Sequence, residues 1–173
     1  MKLAKRITEI KPSATLAINT QAQSLRAQGR PVVSLAVGEP DFKTPDHVCL
    51  AAQKAIADGF TRYTAVAGIP ELRAAVCTYF HDFYGVHSSP DQVVITNGGK
   101  QSLYNLFQVL LDPGAEVIIP TPYWVSYPAM VHLAGGRCVF VPTDPEAQFL
   151  VNVQQLEAAH TGQTRCLILN TPS

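Results

Sequence analysis

Gln92-Val-Val-Ile-Thr-Asn-Gly-Gly-Lys-Gln-Ser-Leu103 is the stretch from which the rest of the chain is read. A β-branched apolar run, Val93, Val94 and Ile95, stops at Gly98 and Gly99. From Lys100 onward Leu103, Leu106, Phe107 and Leu110 recur at helical spacing. The order predicts a strand over 93–96, a glycine turn and a helix over Lys100–Leu111. The first N–H groups of a helix have no carbonyl of their own helix to bond, and the macrodipole favours negative charge there. Such a junction is an anion site, with phosphate the natural guest. Tyr123-Trp124, one strand and one turn later, offers a flat ring for a flat cofactor. Two glycines at a junction also serve as a plain tight turn. A P-loop is excluded, because position 94 is Val and Gln101 follows Lys100, and no G-x-G-x-x-G spacing occurs. The loop is a phosphate candidate without a nucleotide signature.

Downstream the rhythm continues as strand (Val117–Ile119), helix (Tyr127–Ala134), strand (Cys138–Val141), a weaker helix (Val153–His160) and strand (Cys166–Leu169). The strands are apolar at every position rather than alternating, which is the pattern of strands covered on both faces. With crossover helices between them, that predicts an α/β fold with a parallel sheet. Pro142–Leu150 reads as a surface loop.

Upstream, Ala14, Ile18, Ala22 and Leu25 mark a helix stopped at Gly29, and a strand-like Val32–Leu35 follows. Gly38-Glu-Pro-Asp-Phe42 is a loop. Thr44-Pro45 reads as an N-cap with proline at the first helical position, opening a helix through Val48, Ala52 and Ile56 to Gly59. Pro70 opens another, striped by Leu72, Val76, Phe80 and Phe83 and ended by Gly85. Asn170-Thr-Pro-Ser173 follows an apolar strand directly, where a binding loop is expected to begin. The expectation is a cut through a larger protein.

Composition narrows the function classes. The chain has 173 residues, 47% of them hydrophobic and 15% charged, enough for one ordinary domain with part of its surface covered by something else. Thirteen basic and thirteen acidic residues balance to zero, so nothing electrostatic argues for nucleic acid. No apolar run approaches a membrane span, and the start lacks the apolar core of a secretory signal. The four cysteines, Cys49, Cys77, Cys138 and Cys166, form no C-x-x-C pair. They read as small apolar side chains in a reducing compartment, the cytoplasm, with no metal site expected.

Five segments together carry a family. Gly38-Glu-Pro-Asp-Phe42, Tyr63-Thr-Ala-Val-Ala-Gly-Ile-Pro-Glu-Leu-Arg73, Asn97-Gly-Gly-Lys-Gln101, Pro122-Tyr-Trp-Val-Ser-Tyr127 and Asn170-Thr-Pro resemble class I aminotransferases. More narrowly they resemble the bacterial and plant type of aspartate aminotransferase, of fold type I among pyridoxal 5′-phosphate enzymes. The likeness is collinear from about residue 4 to the end and covers the first part of the family's chain. It implies an N-terminal arm and part of a small domain over 1–44. The N-terminal part of the cofactor-binding large domain, truncated, would occupy 45–173.

The resemblance also implies roles. Gly99, Lys100 and Gln101 would hold the cofactor phosphate, Trp124 would stack on its pyridine ring, and Tyr63 would reach the partner subunit's cofactor across a homodimer. Gly38 would meet the substrate α-carboxylate. The Lys100 ammonium would pair with the distal carboxylate of a dicarboxylic substrate, and Trp124 would border the same pocket. Such a charge-assisted bond is worth about 1.5–3 kcal/mol. The reaction implied is transfer of an amino group between an amino acid, aspartate or glutamate, and a 2-oxo acid. The family's Schiff-base lysine, the carboxylate on the pyridine nitrogen and the arginine on the α-carboxylate all lie later than Ser173. No catalytic residue is therefore expected among these 173, and the fragment itself is expected to be inactive. Two other readings stand beside this one: a non-catalytic dimerisation or binding fragment, and an aminotransferase of the same family acting on alanine or aromatic amino acids.

Overall fold

The computed structural model describes residues 2–8, 10, 12–36 and 38–171; Pro172, in the last family segment, lies outside them. In chain order the elements are α1 (Lys5–Thr8), α2 (Ala14–Ala27), α3 (Asp46–Ala57), α4 (Pro70–Tyr84), α5 (Gly99–Leu110), β1 (Glu116–Thr121), α6 (Ser126–Leu133), β2 (Arg137–Pro142), α7 (Val153–Ala159) and β3 (Thr164–Leu167). They group into two compact units, Ala14–Thr96 and Met1–Ser13 with Asn97–Ser173.

The unit of Asn97–Ser173 holds the sheet. Three strands run parallel in the order β2-β1-β3. Val117 of the central strand faces Cys138 on one side and Cys166 on the other. The parallel expectation holds, and its cause is the one the sequence carries: β1 is buried over Glu116–Ile119, and helices connect the strands. Phe107 and Leu111 on and just after α5, Val117 and Ile119 on β1, and Tyr127, Met130 and Val131 on α6 form one core cluster with Ala115. Gly136 lets β2 lie close to that core. A Cβ there would stand 2.9 Å from Leu111 Cδ1 and 3.1 Å from Val131 Cγ1. Burial pushes the Cys138 thiol up to about 11 and raises that of Cys166.

Among the described residues, Glu116 is the one buried charged residue, 1% exposed. The Thr161 hydroxyl donates to its Oε2 at 2.6 Å, and Arg137 of the neighbouring strand donates to its Oε1. The Thr161 bond, helped by the Arg137 charge, holds the carboxyl below its ordinary range against the opposing effect of burial.

The unit of Ala14–Thr96 is helical. α2 runs over the expected span and Gly29 turns the chain at φ 77°. α4 begins on Pro70 and ends at Gly85 in the left-handed region, φ 65°. Its aromatic stripe stands exposed, with Tyr79 and Phe83 rings 4.6 Å apart.

Three local expectations need correcting. Val32–Leu35 forms no strand, and Val33 and Leu35 stand exposed. The run 93–96 is not a strand either. A strand exists only through a ladder partner, and this segment bonds loop and side-chain groups instead. Ile95 N–H donates to Ala67 O at 2.9 Å, and Arg73 Nε donates to Val93 O at 3.0 Å. The cap of α3 is Pro45, not Thr44. Proline holds φ −54° with ψ 141°, so it stays outside the helix while its carbonyl accepts from Val48 and Cys49.

Candidate functional site

The turn into α5 is built by its glycines. Gly98 sits at φ 79°, ψ 166°, a conformation that side chains avoid, and serves as the helix cap. Gln101 and Ser102 amides return to Gly98 O at 3.1 and 3.4 Å. The Gln101 side chain folds back to accept from the Asn97 amide. A Cβ on Gly98 or Gly99 would meet nothing within 4 Å, so the approach to the first amides is open. The helix start is reached from an extended segment rather than from a strand.

Lys100, in the first turn of α5, carries its Nζ over the Trp124 ring, 4.9 Å from the centre. Trp124 lies in the connection from β1 to α6 and is 39% exposed. Tyr127, buried in the core, meets the indole edge-on at 5.4 Å and 87°, and its amide donates to Trp124 O at 3.0 Å. Tyr123 stacks instead on Phe140 of β2, 5.0 Å away at 15°. Four of the residues singled out from sequence, Gly99, Lys100, Gln101 and Trp124, thus belong to one unit, and in it Lys100 meets Trp124. Gly38 and Tyr63 belong to the other unit, where both stand exposed on loops.

A cavity of about 500 Å³ opens at the carboxyl ends of β1 and β3, among Thr121, Tyr123, Thr143, Phe149 and Asn170. The carboxyl end of a parallel sheet is where ligand crevices form. Its walls are largely apolar and do not include Gly99, Lys100, Gln101 or Trp124. The corner at α5 holds the Lys100 cation, an open helix start and the half-exposed Trp124 ring. Sequence reading passed over Thr143, whose hydroxyl donates to Thr121 O, and Phe149, which has φ 57°. Neither carries a motif. Among the described residues no cluster of metal-ligating side chains occurs, and no helix is long and apolar enough to cross a membrane.

Several known proteins are similar to this chain. The chain is 49% identical over 171 residues to an aspartate/prephenate aminotransferase of Thermus thermophilus, covering 99% of this chain and 44% of that one. It is 49% identical over 173 residues to an aspartate aminotransferase of Geobacillus stearothermophilus, covering 100% and 44%. The solved aspartate aminotransferase from Thermus thermophilus with maleate superimposes with a TM-score of 0.96 at 48% identity, over 100% of this chain and 45% of that one. The chain spans under half the length of these relatives. Its α/β architecture, a parallel sheet with flanking helices, is that of the fold type I transferases. The family model of class I and II aminotransferases matches residues 30–173, and the chain belongs to that family.

Proposed function

We propose that the whole protein is a pyridoxal 5′-phosphate-dependent aminotransferase that moves an amino group between aspartate or glutamate and a 2-oxo acid. The observation that supports this best is the Lys100 ammonium poised over Trp124 beside the open start of α5. The corner fits such a cofactor. The amides of Gly99 and Lys100, with Gln101 completing the first turn, would hold a dianion at a helix start, and the half-exposed indole would cover a flat ring. When bound, the cofactor supplies the electron sink for bond cleavage at the amino acid's Cα.

This chain's own residues bind and orient. Trp124, braced by Tyr127, fixes the plane of the ring. Lys100 attracts the second carboxylate of a dicarboxylic substrate, and Trp124 borders the same pocket. The solved relative named with maleate is compatible with a dicarboxylate in such a site. Gly38 leaves room for the substrate's α-carboxylate, and Tyr63, exposed on its loop, reaches the cofactor phosphate of a second subunit in a homodimer. Residues 1–44 form the arm and part of a small domain, and 45–173 begin the cofactor domain. That division concerns the whole protein; within these residues the compact units meet at 13/14 and 96/97. None of the 173 residues is assigned the covalent or proton-transfer step, so these residues alone turn over no substrate. The compartment is cytoplasmic.

The test is amino transfer from aspartate to 2-oxoglutarate by the full-length protein, with and without added pyridoxal 5′-phosphate. Transfer that requires the cofactor supports the reading. A full-length protein saturated with cofactor that transfers nothing from aspartate or glutamate overturns it.

A further inference from the structure

The Lys100 contact has two ends. Its Cα belongs to the first turn of α5, and its ammonium lies over the Trp124 ring. The side chain therefore bridges the two points that a phosphorylated flat ligand would occupy, the helix amides and the indole. Tyr127 takes an edge of the indole rather than a face, and it fixes the ring's tilt from within the core. A ligand whose anion sits on the α5 amides must approach the indole from the side where α5 begins. Lys100 rises from that same first turn to lie over the ring.

We propose that the Lys100 ammonium is a placeholder on the Trp124 face. A flat aromatic ligand displaces it, and the displacement frees the cation to meet a substrate's second carboxylate. The inference rests on the cofactor reading above and adds an order of events to it. A cation over a half-exposed indole is held weakly, because water competes for the charge. A stacked ring buries more area on the same face and gains dispersion, so it wins the position. Before the ring arrives the ammonium is occupied by the indole; afterwards the same face is covered and the charge must turn elsewhere. Selectivity for a dicarboxylate is then expressed only once the ring is in place.

The test uses the full-length apoprotein and pyridoxine, which has the ring but neither phosphate nor aldehyde, so that attraction of Lys100 to a phosphate does not enter. Binding of each protein is measured by calorimetry. Lys100→Met keeps the length and removes the charge, and should bind pyridoxine about two- to fivefold more tightly than the wild type. Lys100→Arg keeps a cation on the ring and should bind no more tightly than the wild type. Equal affinity in the wild type and Lys100→Met overturns the placeholder and leaves the cofactor reading standing. Pyridoxine binding that is unchanged in Trp124→Leu overturns both, since the ring would then sit elsewhere.

Discussion

Lys100 Nζ stands 4.9 Å from the centre of the Trp124 ring, which ties the first turn of α5 to the connection between β1 and α6. A charge and a flat surface thus share one corner with the open amides of a helix start. Each supplies something the others lack: attraction for a carboxylate, a plane for a ring, and donors for a phosphate.

If the plane matters, removing it weakens cofactor binding without touching the donors. Trp124→Leu in the full-length apoprotein should weaken pyridoxal 5′-phosphate by about two- to tenfold, and Trp124→Phe by less. Calorimetric titration of the three proteins decides it. Equal affinities would remove Trp124 from the cofactor site.

Glu116 makes the sheet sensitive to acid. Its folded carboxyl titrates below the ordinary 4.5, chiefly because Thr161 donates to it and next because Arg137 stands beside it. A depressed carboxyl stabilises the fold above its unfolded pKa, and that contribution is lost as pH falls through the folded value. Melting temperatures of the wild type should therefore drop more steeply between about pH 6 and pH 3 than those of Glu116→Gln. Parallel curves for the two proteins would contradict the assignment.

Two glycines separate strain from space. Gly29 has φ 77° with nothing within 4 Å of a Cβ, whereas Gly68 has φ 103° and a Cβ there would lie 2.8 Å from Ile95 Cβ. Gly29→Ala should cost about 1 kcal/mol, from the left-handed backbone alone. Gly68→Ala should cost about 2–4 kcal/mol, because overpacking adds to the strain. Urea unfolding of both variants measures the difference, and equal losses would show that the Gly68 contact relaxes freely.

Thiol chemistry reports the same packing. The thiolate is the reactive form, and burial pushes Cys138 up to about 11, while Cys49 is exposed. Iodoacetamide at neutral pH should label Cys49 well before Cys138, as peptide mass spectrometry would show. Comparable rates would mean that β2 is open to solvent.

What the sequence made legible follows physical rules that act locally. α4 was readable because Pro70 and Gly85 punctuate a helical stripe, and β1 because Val117, Ile118 and Ile119 are apolar without alternation. Residues 32–35 and 93–96 have the composition of strands, but a strand needs a neighbour, and composition does not supply one. The glycine-capped start of α5 was legible because its glycines and the helix are adjacent in sequence. The Glu116 cluster was not, since its partners Arg137 and Thr161 lie 21 and 45 positions away. The contact of Lys100 with Trp124 was hidden for the same reason. Both residues were marked separately, and only folding brings them together.

Lys100→Ala in the full-length enzyme tests the central claim most directly. Its side chain leaves the helix start while the backbone donors of α5 stay in place. Only a dicarboxylate presents a second negative charge to the lost ammonium. The account predicts that kcat/KM for aspartate falls by about 10- to 100-fold, corresponding to about 1.5–3 kcal/mol, while that for alanine changes far less. Equal losses for aspartate and alanine would place Lys100 in the cofactor site alone and contradict the dicarboxylate assignment.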